Sequence, residues 1–443
     1  MSVECGGTSV ECGGMSVECG VWSVECGVDN FPLSTFHFQL PTVAVVAEYN
    51  PFHNGHFYQI RKIKERFPEA AVVSVMSGSL VQRGDVALFS KYRRAEMAVL
   101  CGVDAVFELP SVYANASANI FAHSAVWILE KLSGIDYICF GSECGELEPL
   151  EFAAEKIMGE DFSSKLSKTV KANKNKSYAA NVHELFCAMY GEKKASVLLG
   201  SNNILAIEYL KALKKLGSRI TPFTIKREGA LFNSETFDKT AASASYIRKT
   251  IRERRTHDVR PYDTLACMPA PAHEIAAELI GGKKFTDIEN LAPAVITHLS
   301  RLGADEIAAA AEITGGLEHR IKKSLDGCFD LATLFSRLCA KHTSPSAVRR
   351  GVLSAFFGIT KEAQAAPPDF TAVLAINQKG AGFVSSIRKK AAIKIATKPA
   401  HMKESPAFDK NCFIDNTCKL ALHDRGGEIN EMRQKPRVLE IRN

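Results

Sequence analysis

The sequence predicts an α/β fold, with a parallel sheet covered by helices on both faces, followed by a mostly α-helical C-terminal domain. Three observations predict it. Short apolar runs recur at Val43–Ala47, Ala70–Met76, Ala105–Pro110 and Tyr137–Glu143, and each is apolar along its length rather than alternating. Strands buried on both faces read this way. Segments with helical spacing lie between the runs, at Tyr58–Lys64, Lys91–Leu100 and Phe121–Leu132. Strand and helix therefore alternate as in Rossmann-like, doubly wound sheets. Beyond a proline-bearing stretch, Pro261–Pro271, the pattern becomes mostly helical.

Taken in order, residues 1–41 stand apart. Ser-Val-Glu-Cys-Gly recurs at Ser2–Gly6, Ser9–Gly13, Ser16–Gly20 and Ser23–Gly27. The repeat has too little apolar surface to pack, and it lacks the basic start and long apolar core of a signal peptide. It is expected to be a disordered extension. The four apolar runs and their helices follow, with a polar loop at Val81–Asp85. Lys176–Tyr190 and Gly200–Leu216 read as helices, and Asn202 is placed to cap the second. Ile220–Arg227 reads as a late strand ending in two bases. In the helical stretch Thr240–Arg252, Ser243 and Ser245 precede Arg248 and Lys249. Serines at a helix start with bases behind them make a phosphate-holding surface.

The domain boundary is set at Pro261–Pro271, giving an α/β domain over 42–262 and a helical, basic domain over 263–443. In the second, Leu291–Leu302, Ala304–Glu312, His319–Leu325, Asp330–Ala340 and Ser346–Phe357 have helical spacing. Val373–Ile395 carries Lys379, Arg388, Lys389, Lys390 and Lys394. Such charges line a solvated face or track an RNA backbone.

Composition sets limits. The chain has 443 residues, 46% hydrophobic and 23% charged, as in ordinary soluble domains. No apolar run approaches the ~20 residues that span a bilayer. A net charge of +6 is compatible with nucleotide or RNA binding. None of the 13 cysteines falls in Cys-x-x-Cys spacing, which argues against a zinc site. A chain of this size folds without disulfides, so a reducing, cytoplasmic compartment is expected.

The chemistry concentrates where the first strand hands over to its helix, at Glu48-Tyr49-Asn50-Pro51-Phe52-His53-Asn54-Gly55-His56. A helix starting just after a tight turn aims free N–H groups and its positive dipole end into the loop, which suits phosphate. Two imidazoles add movable positive charge. Gly55, with no Cβ, lets the backbone come close to a ligand. His-x-Gly-His alone is a weak signal; strand before and helix after strengthen it. Capping histidines in a plain structural turn are the bland alternative. The strand-end residues His53, Ser77, Glu108 and Gly141 fall on the side of the sheet where ligands sit.

This pattern resembles the nucleotidyltransferase superfamily, where His-x-Gly-His binds the ATP phosphates. Several stretches together resemble one family within it: Ala47–His56, Met76-Ser77-Gly78 with Val81-Gln82-Arg83-Gly84, Phe107-Glu108-Leu109-Pro110, Phe140-Gly141-Ser142-Glu143, Asn202–Lys211 and Lys226–Ala230. They look like the bacterial tRNA(Met) cytidine acetate ligases, in the family's order, from about Thr42 to beyond Lys403. Ser79-Leu80 and Gly200-Ser201 depart from the family's pattern, and the N-terminal repeat is foreign to it.

The resemblance implies a nucleotidyltransferase-like, ATP-binding catalytic domain over 42–262 and a tRNA-binding domain over 263–443. It implies that ATP and acetate give acetyl-adenylate, and that the wobble cytidine of elongator tRNA(Met) then becomes N4-acetylcytidine. His53 and His56 would be catalytic. Val45, Val46, Ala47, Glu48, Tyr49, Asn50, Pro51, Phe52, His53, Asn54, Gly55, His56, Phe57 and Tyr58 would hold ATP, with Gly141, Asn202 and Arg227. Magnesium is expected with ATP, although no carboxylate cluster names its ligands. No membrane or DNA partner is implied. A nucleotidyltransferase acting on a small phosphorylated metabolite is the alternative, against which the long basic helical half argues.

Overall fold

The computed structural model describes residues 40–440 except 174, 228–242, 254–264, 341–342, 399–401, 403–404 and 428–429. The repeat-bearing extension lies outside the described residues save for Leu40 and Pro41. So does the start of the stretch read as Thr240–Arg252.

The strands, in chain order, are β1 (Thr42–Ala47), β2 (Ala71–Ser77), β3 (Leu80–Val81), β4 (Asp85–Val86), β5 (Ala105–Leu109), β6 (Tyr137–Ser142), β7 (Thr221–Lys226), β8 (Phe370–Ile376), β9 (Lys394–Ala396) and β10 (Arg437–Val438). Apart from the small β3–β4 hairpin they form one sheet, ordered β10-β8-β5-β2-β1-β6-β7, with β9 beside β8. β1 is central, paired in parallel with β2 from Thr42↔Ala71 to Ala47↔Met76 and with β6 on its other side. Its residues Val43, Ala44 and Val45 are buried, as an apolar strand covered on both faces should be. The carboxyl ends of β1, β2, β5, β6 and β7 all lie on one edge, where the candidate site residues gather.

The later half of the chain is largely helical, but it also supplies part of the sheet. Val373–Ile395, expected to be a basic helical run, is instead strand β8, the helix Gln378–Ile387 and strand β9. β8 is buried along its length and runs antiparallel to β5. A short continuous apolar run does not reveal its state by periodicity. Here the edge of β5 needed a partner, and a β-branched run supplied one. The described part of the proline-bearing stretch also packs inward: Leu265, Cys267 and Met268 are buried, and the Cys267 carbonyl accepts the Asn54 N–H at 2.9 Å.

The helix Pro406–Cys418 is tied to the sheet by a buried charge cluster. Lys91, in the helix α2 (Lys91–Leu100), reaches Glu108 at 2.9 Å, Asp415 at 2.5 Å and Glu431 at 3.4 Å. Burial opposes the lysine's charge, but Asp415, Glu108 and Glu431 prevail and hold its pKa well above the ordinary value. Among the described residues no helix is long and apolar enough to cross a membrane.

Candidate active site

After β1 the chain turns sharply into α1 (Asn54–Arg66). Tyr49 has φ 44°, in the left-handed region, which costs an L-residue about 1–2 kcal/mol. Packing holds it there. The ring is fully buried, 4.9 Å from Phe52 and edge-on to His56 at 4.9 Å. The Asn50–Pro51 peptide is cis. Asn50 Oδ1 accepts the Leu88 N–H at 2.7 Å, anchoring the turn to the loop after β4.

The two histidines cap α1 reciprocally. His53 is the N-cap, and its Nδ1 accepts the Gly55 N–H at 3.0 Å. His56 Nδ1 accepts the His53 N–H at 3.3 Å. This is the capping-box arrangement with imidazoles in place of a hydroxyl and a carboxylate. The rings stack with centroids 3.9 Å apart. A nitrogen that accepts carries no proton, so each neutral ring bears its proton on Nε2 and can donate from there. Electrostatics agree. Burial, with Arg227 and Arg248 adding to it, lowers the His53 pKa to about 3. Burial, then the neighbouring His53 ring and the charge of Arg227, drive that of His56 well below its ordinary value.

Two expectations change here. The histidines do not supply positive charge; they are neutral donors, and the charge comes from Arg227 and Arg248. The first-turn amides of α1 are not free. Asn54 N–H goes to Cys267 O, Gly55 N–H to His53 Nδ1, and the His56 and Phe57 N–H groups to His53 O. A half-buried helix end satisfies its own donors. Gly55 also has a role within the turn, where it leaves room for the His53 ring. A Cβ there would stand 2.8 Å from His53 Cε1. Gly55→Ala is therefore expected to dislodge the His53 ring and act like a loss of His53 in any assay of the site, with the melting temperature changed little. Unaltered activity of the alanine variant would refute this.

The neutral rings also link stability to pH. Unfolded His53 binds a proton near pH 6.5, whereas the folded chain binds it only near pH 3. The contribution is complete above about pH 6.5 and is lost as pH falls, at up to ~1.4 kcal/mol per pH unit. Asparagine keeps the N-cap without titrating. Urea midpoints between pH 7.5 and 5 should fall less steeply for His53→Asn than for the parent; equal slopes would contradict the assignment.

Around the turn stand groups from three other elements. Arg248, from the helix Ala244–Glu253, donates to the Asn50 carbonyl at 2.6 Å and to Ser245 Oγ at 3.2 Å. Arg227, just after β7, donates to Asn202 Oδ1 at 3.2 Å. Among the described residues neither guanidinium has a carboxylate within ion-pair distance, and burial lowers the pKa of both. By contrast Arg252 is spent on Asp85, at 2.8 Å.

Gly141 pairs with Ile225 in the sheet, and a Cβ on it would lie 3.1 Å from Arg227 Cγ. Its bareness makes room for the Arg227 stem. Asn202 does not cap its helix, Ser201–Leu216; Gly200 is the N-cap, and the Glu143 carboxylate takes the free amides.

The structure thus brings together His53, His56, Gly141, Asn202 and Arg227. Of the predicted segment, Val45 is buried in the sheet, and Phe57 is exposed on α1. Glu143, Arg94 and Arg248 shape the site but were not among the predicted site residues. Arg248 was signalled only by the serines before it. A depression of about 770 Å³ lined by Pro293, His298, Arg301 and Glu306 contains none of the predicted residues and none of the convergent donors.

Comparison with known proteins decides the family. A model of the HIGH nucleotidyl transferases matches residues 40–433. The tRNA(Met) cytidine acetate ligase of Caldanaerobacter subterraneus subsp. tengcongensis is 34% identical over 392 residues, which are 86% of this chain and 96% of that protein. The chain belongs to the tRNA(Met) cytidine acetate ligase family. The protein of the same description from Acetivibrio thermocellus is 33% identical, over 81% of this chain and 88% of that protein. A crystal structure of Thermotoga maritima TmcAL bound with alpha-thio ATP superposes with a TM-score of 0.81 at 27% identity, covering 91% of this chain and all of that one. The apo form of the same protein gives 0.83. The family's sheet and helical second half are those described above, and a ligase chemistry accompanies them.

Proposed function

We propose that the chain uses ATP to activate acetate as acetyl-adenylate at the His53–His56 turn. It then transfers the acetyl group to the wobble cytidine of elongator tRNA(Met), giving N4-acetylcytidine, AMP and pyrophosphate. One observation carries the reading. Two guanidinium groups, Arg227 and Arg248, neither with a carboxylate at ion-pair distance among the described residues, flank the positive end of α1 beside two neutral imidazole donors. That arrangement suits a polyphosphate. Attack on an α-phosphate needs charge compensation on phosphoryl oxygens and in-line positioning rather than a strong base. The arginines would supply compensation, and the Nε2–H groups would donate to the oxygens as charge builds. The names of the relatives and the ATP analogue bound by the Thermotoga protein support the same substrates.

Residues 42–262 are assigned to ATP binding and catalysis, and 263–443 to tRNA. Arg350 is paired with Glu312, and Lys379 donates to the Glu69 and Ala70 carbonyls. Arg388, Lys389, Lys390 and Lys394 are exposed and form the proposed basic track. Magnesium would arrive with the ATP phosphates; among the described residues no group of three His, Cys, Asp or Glu side chains could hold it. The free cysteines fit a reducing cytoplasm. The test is AMP formation by the purified protein. It should require both acetate and tRNA(Met), and nucleoside mass spectrometry should find N4-acetylcytidine only in tRNA from cells carrying the gene. AMP formation indifferent to both substrates would end the proposal.

A further inference from the structure

Glu143 follows β6 on the site edge of the sheet, and its carboxylate is fully engaged. Oε1 accepts the Asn202 backbone N–H at 3.0 Å and the Asn202 Nδ2–H at 2.7 Å. Oε2 accepts the Asn203 N–H at 2.7 Å. In return Asn203 Oδ1 accepts the N–H groups of Glu143 and Cys144, at 2.9 and 3.3 Å. Five bonds thus lock the end of β6 to the start of the Ser201–Leu216 helix. A carboxylate at a helix N-terminus is doubly favoured, by the free amides and by the dipole.

The lock has a consequence for the amide of Asn202. Because Nδ2–H is held by Glu143, Oδ1 must face the other way, and there it receives Arg227 Nη1 at 3.2 Å. Turned over, the same amide would present N–H to a guanidinium, donor against donor. Arg227 is further held by its own N–H on the Ser142 carbonyl at 3.0 Å and by its stem over Gly141. Its charge reaches both His53 and His56. Glu143 thereby acts on the turn at one remove.

We infer that Glu143 is the positioning residue that sets the Asn202 amide, and through it the Arg227 guanidinium, for the nucleotide phosphates. The inference rests on the proposed ATP site. Gly200 belongs to the device, since a Cβ there would stand 2.4 Å from Glu143 Oε2. Two unrelated substitutions therefore perturb one lock. Glu143→Gln puts a donor amide where three donors converge, and Gly200→Ala pushes the carboxylate aside.

The experiment is calorimetric titration of the full chain with ATP, without acetate or tRNA, for the parent, Glu143→Gln, Gly200→Ala, Arg227→Ala and Glu143→Gln/Arg227→Ala. Both single lock variants are expected to weaken ATP binding by roughly tenfold, the scale of one charge-assisted hydrogen bond. In the Arg227→Ala background Glu143→Gln should weaken it no further, because the guanidinium it positions is gone. Lock variants that melt earlier yet bind ATP as the parent does would reduce Glu143 to a structural cap and overturn the inference. So would full additivity with Arg227→Ala. If the parent binds no ATP, the proposed ATP site falls and takes this inference with it; if the parent binds and the lock variants match it, only the inference falls.

Discussion

His56→Ala is expected to lower acetate-dependent exchange of pyrophosphate into ATP by roughly 10²–10³-fold, the usual effect of removing one preorganised donor from a transition state. The structure sharpens the reason. His56 Nδ1 is committed to the His53 N–H, so the ring's one remaining hydrogen-bonding group is Nε2–H. That group is a neutral donor that strengthens as the phosphoryl oxygens gain charge. The fold should survive. The substitution removes one capping bond, the stack on His53 and the ring contacts with Tyr49 and Phe52, about 2 kcal/mol on the N-cap and aromatic-pair scales. The activity loss would therefore come from chemistry, and circular dichroism would show an intact protein. Exchange should also persist when pH rises from 6 to 8, because the rings are already uncharged at the lower value. Full exchange by the alanine variant would remove His56 from the mechanism. A loss of parental activity centred on pH 6.5 as pH rises would restore the cationic imidazole.

That reversal shows what a sequence can and cannot carry here. The position of the His turn was legible, because an apolar strand, a turn and a helical repeat are local patterns. β1, α2 and the helix Ser201–Leu216 lie within a residue or so of where spacing put them. The charge state of the histidines was not legible. It depends on burial and on Arg227 and Arg248, which reach the turn only once β7 and the helix after it are in place. Glu143 is visible in the sequence only as part of the family pattern, because its partners Asn202 and Asn203 lie on another element. Asn202 read as a helix cap for the complementary reason: its type favours caps, and the carboxylate that outcompetes it is distant in sequence. β8 failed differently. Its apolar run is genuinely ambiguous between buried strand and buried helix, and tertiary pairing with β5 resolved it.

Arg94 carries the largest expected effect on stability, and periodicity marked it only as one more residue of α2. It is completely buried. Nε donates to the Phe89 carbonyl at 3.0 Å, Nη2 to the Ser77 carbonyl at 3.0 Å, and the remaining N–H groups to the carbonyls of Glu48 and Gly78. Burial pulls its pKa down to about 10, which leaves it charged at neutral pH. One guanidinium thus gathers the carboxyl ends of β1 and β2 and the loop leading into α2. These are the backbones that place the His turn. Arg94→Met fills much of the volume but leaves three buried carbonyls and the partly buried Glu48 carbonyl without a donor. Each orphaned group costs about 1–3 kcal/mol, and relaxation and water offset part of the sum. A net loss of about 3–5 kcal/mol is expected, the scale of breaking a buried hydrogen-bond network. Lysine keeps the charge but has no fork to span four acceptors, so Arg94→Lys should fall between the two. Urea unfolding at constant pH measures both. A methionine variant within about 1 kcal/mol of the parent would mean that other donors hold the strand ends, and Arg94 would lose its place in building the site.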